Sequence, residues 1–250
     1  MDSKTLAYIN LHGILANLVW LCQMDDEAKK LIEGVDIALA IEVKDGPSGT
    51  LTFRDGKCTY AEGVGKCDIK LPFSSCDKFN GMINGTVTPF PSKGLLKIGF
   101  LLKTFTKLTD ILESYLRPAP EKLEDPVFFK KSTELMFHLI ASAVSQIGNH
   151  DHIGKHSASY IVDGNVKLGI ENGIAMQIVA KDSHLTTLHT CPEDCTAYMM
   201  FENINTARDL FDGKVNAVVC VGLGQVRIGG MISMVDNINR ILDRVAVYLA

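Results

Sequence analysis

Gly224-Gln-Val-Arg-Ile-Gly-Gly230 echoes Gly94-Leu-Leu-Lys-Ile-Gly-Phe100, and each copy runs straight into an apolar stretch with helical spacing. Upstream, Leu51-Thr-Phe-Arg-Asp-Gly56 is matched by Leu168-Gly-Ile-Glu-Asn-Gly173. Two landmarks in the same order point to a duplicated module of domain size. The repeated parts are apolar and no repeated polar constellation accompanies them. The sequence therefore points to binding an apolar molecule more than to performing a reaction.

The chain has 250 residues, enough to bury a substantial core in one domain or two. A net charge of −4 and a pI near 6.0 leave no basic footprint for nucleic acid, and no Lys/Arg run is dense enough for a polybasic membrane anchor. Gly13-Ile-Leu-Ala-Asn-Leu-Val-Trp-Leu-Cys22 has the apolar look of a signal-peptide core, but Asp2 precedes it and no small-residue cleavage site follows. Asn10, Asn17 and Gln23 interrupt it, so it reads as an amphipathic helix, short of the run of about 20 apolar residues that spans a bilayer. Seven cysteines, an odd count without a tight framework, read as reduced thiols in a cytoplasmic protein.

The pattern predicts helix over 4–33, broken near Met24-Asp25-Asp26, then strands at 36–43, 49–55, 58–63 and 67–73 and a short helix near 75–82. After Gly94 it predicts a strand and then a helix carrying Leu101, Phe105, Leu108, Leu112 and Tyr115. Arg117-Pro-Ala-Pro-Glu-Lys-Leu-Glu-Asp-Pro126 is the best linker, with helix 126–147 beyond it. Strands are predicted at 157–162, 165–171, 174–181, 195–203, 214–221 and 224–230, with a short helix near 204–211 and a last helix from Met231. From Gly56 to Gly94 is 38 positions and from Gly173 to Gly224 is 51, so the second copy reads as carrying an inserted loop near 182–195.

Phe211-Asp-Gly-Lys-Val-Asn-Ala-Val-Val-Cys-Val-Gly-Leu-Gly-Gln-Val-Arg-Ile-Gly-Gly230, a glycine-punctuated apolar strand before an amphipathic helix, resembles the sterol carrier protein 2 (SCP2)-like family. In the first copy Gly94, Leu96, Lys97 and Ile98 fit the same pattern, and Phe100 stands where its last glycine would be. The resemblance implies an α+β fold of two tandem SCP2-like modules, each a mostly antiparallel mixed sheet covered by helices. The modules would occupy 1–117 and 127–250, with 118–126 as linker. It further implies a non-enzymatic protein that binds and transfers a fatty acid, acyl lipid or sterol-like molecule inside the cell, with transient membrane contact and no cofactor. The cavity is expected between sheet and C-terminal helix. Met199, Phe201, Met231, Met234 and Ile238 are its candidate lining, matched in the first module by Leu101, Phe105 and Leu108. Flexible thioether side chains suit an apolar cavity that adapts to its ligand.

Two alternatives stand beside this reading. One is a regulatory or scaffolding module with a solid core that presents its surface to protein partners. The other is a structural zinc protein in which His184, His189, Cys191 and Cys195 of the 184–195 loop supply the ligands, although only one Cys-x-x-x-Cys pair exists. His150-Asp-His-Ile-Gly-Lys-His156 follows Gly148-Asn149 and reads as a solvated turn. Nucleotide binding fails, because Arg227 occupies the third glycine's place after Gly222-Leu-Gly224. No Gly-x-Ser-x-Gly elbow or His-Glu-x-x-His helix occurs, and nothing singles out one thiol as a nucleophile.

Overall fold

A computed structural model describes residues 1–249 and divides into two units, Met1–Leu135 and Met136–Ala250. The first unit opens with helices α1 (Ser3–Ile9), α2 (Leu18–Met24) and α3 (Asp26–Ile32), with a π turn at Asn10–Ile14 and a 3-10 turn at Leu15–Asn17 between the first two. Strands β1 (Ile37–Val43), β2 (Ser48–Arg54), β3 (Lys57–Glu62) and β4 (Ile69–Phe73) make a sheet of order β3-β2-β1-β4. β1 pairs parallel with β4 and antiparallel with β2. Helix α4 (Cys76–Ile83) follows, and a closing helical run begins at Leu95–Lys97, continues as a π segment at Phe100–Phe105 and ends as α5 (Thr106–Leu116).

The second unit repeats this order. Helix α6 (Pro126–His150) starts in the first unit and ends in the second, then come α7 (His152–Ala158) and strands β5 (Gly164–Ile170), β6 (Ala175–Lys181), β7 (His184–Leu188) and β8 (Ala197–Phe201). Helices α8 (Ile204–Phe211) and α9 (Ala217–Gly222), strand β9 (Val226–Gly230) and helix α10 (Ile232–Leu249) complete it. The sheet order is β7-β6-β5-β8-β9, again with the first and fourth strands of the module parallel. Strands β5 to β8 and helix α8 each begin 127 or 128 positions after β1 to β4 and α4, so the duplication runs through every one of these elements.

This register corrects the alignment drawn from sequence. Asp55-Gly56 joins β2 to β3 with both residues at positive φ, the geometry of a two-residue type I′ hairpin. Its counterpart is Asp182-Ser183, also at positive φ, between β6 and β7. Gly173 instead lies in the β5–β6 turn and corresponds to Gly46: Gly173 N–H donates to Ile170, as Gly46 N–H donates to Val43. The two landmarks were thus one hairpin out of phase, and the supposed insertion contains β7. A serine at positive φ gives no hairpin signal, which is why the strand read as loop.

Gly94 is likewise equivalent to Gly230, not to Gly224. At φ +86° a Cβ on Gly94 would run into the Asp68 carbonyl oxygen and Ile69 Cα; at φ +73° one on Gly230 would meet the Thr196 carbonyl and Ala197 Cα. Both glycines turn the chain from the edge of the fourth strand into the closing helix. The strand expected after Gly94 is therefore helix, and the predicted strands at 157–162 and 214–221 are also replaced, by the end of α7 with its following turn and by α9. In α9 the Asn216 side chain accepts from Val218 and Val219 N–H, and this cap overrides the strand preference of the valine run. The proline-rich segment 118–126 carries a 3-10 turn at Pro120–Glu124 and lies inside the first unit, whose boundary falls within α6.

Ser3–Met24, 22 residues whose most apolar 18-residue window has mean hydropathy 1.4, meets the length and composition of a membrane span, but 67% of that window is buried within the protein. Asn10, His12 and Asn17 are buried along it, where hydrocarbon would leave such groups costly, so it is a core helix.

A polar clasp that the sequence reading missed fixes the closing helix in each unit. Asp25 caps α3 by accepting from Glu27 and Ala28 N–H, and its other carboxylate oxygen accepts from Tyr115 Oη of α5 at 2.8 Å. Asp151 caps α7 by accepting from Ile153 and Gly154 N–H, and accepts from Tyr248 Oη of α10 at 2.7 Å. Lys131 Nζ at 3.6 Å and Arg244 Nη2 at 3.1 Å supply the cations. What read as a solvated turn at 150–156 is therefore a buried helix cap, with Asp151 only 4% exposed. Burial alone would raise both carboxyls, but the capping N–H groups, the tyrosines and the cations outweigh it, and both sit below the usual carboxylate range.

Tyr115→Phe and Tyr248→Phe each remove a hydrogen bond to a buried charge, and each should cost about 1.5–3 kcal/mol in chemical denaturation at neutral pH. A depressed carboxyl stabilises the fold above its unfolded value of about 3.9 and loses that contribution as pH falls through its lower folded value. Acid unfolding of the wild type should therefore steepen below about pH 4, and both variants should show a shallower acid limb, read by far-UV circular dichroism. Gly94→Ala and Gly230→Ala should each lower stability by about 1–3 kcal/mol through left-handed strain alone, more where the carbonyl cannot move, measured the same way.

Candidate ligand-binding site

In each unit the opening helical run pairs a buried histidine with a residue in the third strand or just past it. His12 lies in the π segment, and its Nδ1 pairs with Tyr60 Oη of β3 at 2.7 Å. Burial lowers His12 to about 4, so the ring is neutral near pH 7 and its lone pair accepts from the phenol. Burial, with Glu62 nearby, raises Tyr60. The equivalent His138 of α6 pairs Nδ1 to Nδ1 with His189 at 2.8 Å, and His189 Nε2 lies 3.1 Å from Ser142 Oγ. Burial, then His189, lowers His138 to about 3; burial lowers His189 to about 4. One consistent tautomer set has Ser142 donating to His189 and His189 donating to His138.

A serine, a histidine and an orienting group in series have the outline of a nucleophile relay. Here Ser142 is 7% exposed in mid-helix, where backbone N–H groups serve the helix and none is free to hold an oxyanion. The same position in the first unit pairs a histidine with a tyrosine. Their shared feature is a buried side-chain hydrogen bond between the opening helical run and the third strand or the residue just past it.

Ala197, Met199 and Phe201 form the buried face of β8, while Tyr198 and Met200 point the other way. Phe201 meets Phe137 and Phe211 at ring-centroid distances of 5.9 and 5.8 Å. Met234 and Ile238 of α10 are fully buried, and α10 packs on β8 and β9. Met231 is 42% exposed at the entrance to that helix, beside the exposed Ile232. In the first unit Leu101, Phe105 and Leu108 are buried, and Phe100 just before them packs on Phe53 of β2 at 5.3 Å. Seven of the eight candidate lining residues are thus buried, and Met231 is partly exposed.

His184, His189, Cys191 and Cys195 are not gathered into one site. His189 turns inward to His138, Cys191 and Cys195 are exposed, and all seven cysteines are free thiols. Among the described residues no group of three or more His, Cys, Asp or Glu side chains is arranged to hold a metal ion.

A groove that the sequence did not signal opens on the first unit, with a volume of about 780 Å³. Val43, Phe73, Val87 and Phe90 give it apolar walls, Pro72 and Pro89 frame it, and Glu42, Lys44, Asp45 and Lys78 stand around it. Glu42 is held by Lys70 at 2.7 Å. Its origin is the missing fifth strand. In the second unit β9 pairs with β8 from Val226↔Phe201 to Gly230↔Ala197. In the first unit only a single bridge, Lys70↔Lys93, forms at the equivalent edge. Pro89 and Pro91 lack the N–H groups a ladder needs, and Pro72 lacks one on the facing strand. The chain therefore leaves the β4 edge, and the gap is the groove.

No family model matches the sequence, and no curated protein matches it. Among solved structures the chain is similar in fold to the sterol carrier protein domain 2 of Helicoverpa armigera, at 15% identity over 43% of this chain and 85% of that one, with a TM-score of 0.35. It is similar to a UbiJ-SCP2 ubiquinone synthesis protein at 14% identity over 43% of this chain and 88% of that one, TM-score 0.35. A sterol carrier protein 2 matches at 11% identity over 44% of this chain and 92% of that one, TM-score 0.34. At these identities and scores the likeness is one of fold, over about one module's length.

Proposed function

We propose that this protein binds and transfers a hydrophobic ligand, a fatty acid, acyl lipid or sterol-like molecule, in the cytoplasm and without catalysing a reaction. The groove on the first module carries the reading. Its volume of about 780 Å³ lies in the range of small-molecule sites, and its walls combine apolar side chains with a few charged groups at the edge. In the second module the ligand's place is the layer beneath α10, entered past Met231 and bounded by Met199, Phe201, Met234 and Ile238. Methionine side chains there can re-pack around a guest without a fixed void.

A solid second module that only presents a surface is the competing reading. It is favoured by the near-complete burial of Met199, Phe201, Met234 and Ile238 and by the exposed Val218, Val219 and Leu223 on and just after α9.

Native mass spectrometry of the purified protein, followed by organic extraction, should find co-purifying lipid at a fixed ratio. Val87→Trp should block loading of the groove, and Met234→Trp should block loading beneath α10 at a stability cost of about 1–3 kcal/mol from overpacking. Uptake of a fluorescent fatty acid unchanged in both variants, with the fold intact by circular dichroism, would sink both assignments. A lipid-free protein that also ignores added fatty acid would favour the interaction module.

A further inference from the structure

The entrance to the closing helix of the first module carries a surface that its own fold does not use. From Lys78 to Thr109 the sequence has no Asp or Glu, yet it holds Lys78, Lys93, Lys97, Lys103 and Lys107, in a chain whose net charge is −4. Within that stretch Phe90 is 71% exposed, Leu95 53%, Leu96 104% and Leu102 69%. Leu95, Leu96, Ile98 and Leu102 form the exposed apolar part of this run. Leu101, Phe105 and Leu108 are already spent, being buried. This segment is apolar both inside and out, with lysines between.

The charges that face it are few. Asp68 takes Lys97 at 2.7 Å and also faces Lys93, whose Nζ donates to the Cys67 carbonyl, and Asp110 follows Lys107 by three positions. Lys103 and Lys107 are exposed. Protein–protein interfaces are depleted in lysine and enriched in tyrosine, tryptophan and arginine, whereas this surface offers leucine and lysine with one phenylalanine. Leucine to enter an acyl boundary and lysine to meet phosphates is the pattern of an element lying in a bilayer interface. The α9 surface of the second module differs: from Val215 to Val226 it has no charged residue at all.

We propose that Phe90–Lys107 docks this protein on a bilayer surface that carries anionic headgroups, with Leu95, Leu96 and Leu102 entering the headgroup boundary and Lys103 and Lys107 engaging lipid phosphates. Phe90 also lines the groove, so docking brings the groove mouth to the bilayer. The docking does not depend on which module holds a ligand, or on whether either does.

Flotation of the full chain with extruded vesicles tests it, comparing phosphatidylcholine alone with phosphatidylcholine in which roughly one lipid in three is phosphatidylserine. Binding to the mixed vesicles, weakened by high salt, is expected, with little binding to phosphatidylcholine alone. Lys103→Gln with Lys107→Gln should weaken binding roughly 25-fold, about five-fold for each lysine. Leu96→Asp with Leu102→Asp changes only exposed side chains and should abolish it, while Val218→Asp with Leu223→Asp should leave it unchanged. Val87→Trp and Met234→Trp should float as wild type, which separates this test from that of ligand binding. Equal recovery with both vesicle types, full binding by the leucine variant, or loss of binding in the Val218/Leu223 variant would overturn the proposal. So would vesicle-blind protein whose self-association, by sedimentation, disappears in the leucine variant.

Discussion

Each unit depends on one buried carboxylate doing two jobs. Asp25 and Asp151 satisfy the free N–H groups at the start of a short helix and also accept a phenolic hydrogen bond from the far end of the closing helix. A seven-residue helix is too short to stand alone in water, so its cap and its packing must hold it. By spending its second oxygen on Tyr115 or Tyr248, the same carboxylate anchors the end of the run that begins at Gly94 or Gly230. The closing helix is thereby fixed at both ends: a glycine that only a left-handed backbone admits at its start, and a charged hydrogen bond at its finish.

With that frame common to both units, one divergence lies at the fourth strand's edge. Prolines at 72, 89 and 91 remove the donors that would zip a fifth strand onto β4, and the second unit, with Val226, Arg227 and Ile228 in that place, zips it fully. An unpaired edge is ordinarily a liability for association, and proline on the edge is one of the ways proteins blunt it. Here the same substitution that blunts the edge also holds the neighbouring segment away and leaves a groove. Loss of a strand and gain of a concave surface are one event.

The fold class was legible because strand alternation, Asp-Gly punctuation and helical stripes mark β1 to β4, α4 and the long helices within two or three residues. The equivalences were not. Gly-x-apolar-basic-Ile-Gly occurs as the mouth of a helix at 94–99 and, at 224–229, as a turn leading into β9 from Val226, since a short apolar run does not declare its period. β7 hid behind Asp182-Ser183, and the valines of α9 looked like strand until Asn216 capped them. The pairing of these histidines and aspartates went unnoticed because their partners, Tyr60, His189, Tyr115 and Tyr248, lie far away in sequence. The signal was present in retrospect: His12 and His138, like Asp25 and Asp151, are 126 positions apart.

The two places offered to a ligand differ in what occupying them demands. Beneath α10 the candidate walls are already in contact: Met234 and Ile238 are fully buried and Phe201 stands in a ring cluster with Phe137 and Phe211. A guest there must first displace contacts that hold the helix, and protein interiors resist such change at the scale of single methylene groups. The groove at the β4 edge is open before any ligand arrives, because backbone chemistry and not side-chain packing keeps it so. A guest entering it displaces no packed helix and meets the partly exposed Val87 and the exposed Phe90. If both modules load, the first should therefore fill at lower ligand concentration, and the second should fill only with ligands whose binding repays the opening of α10.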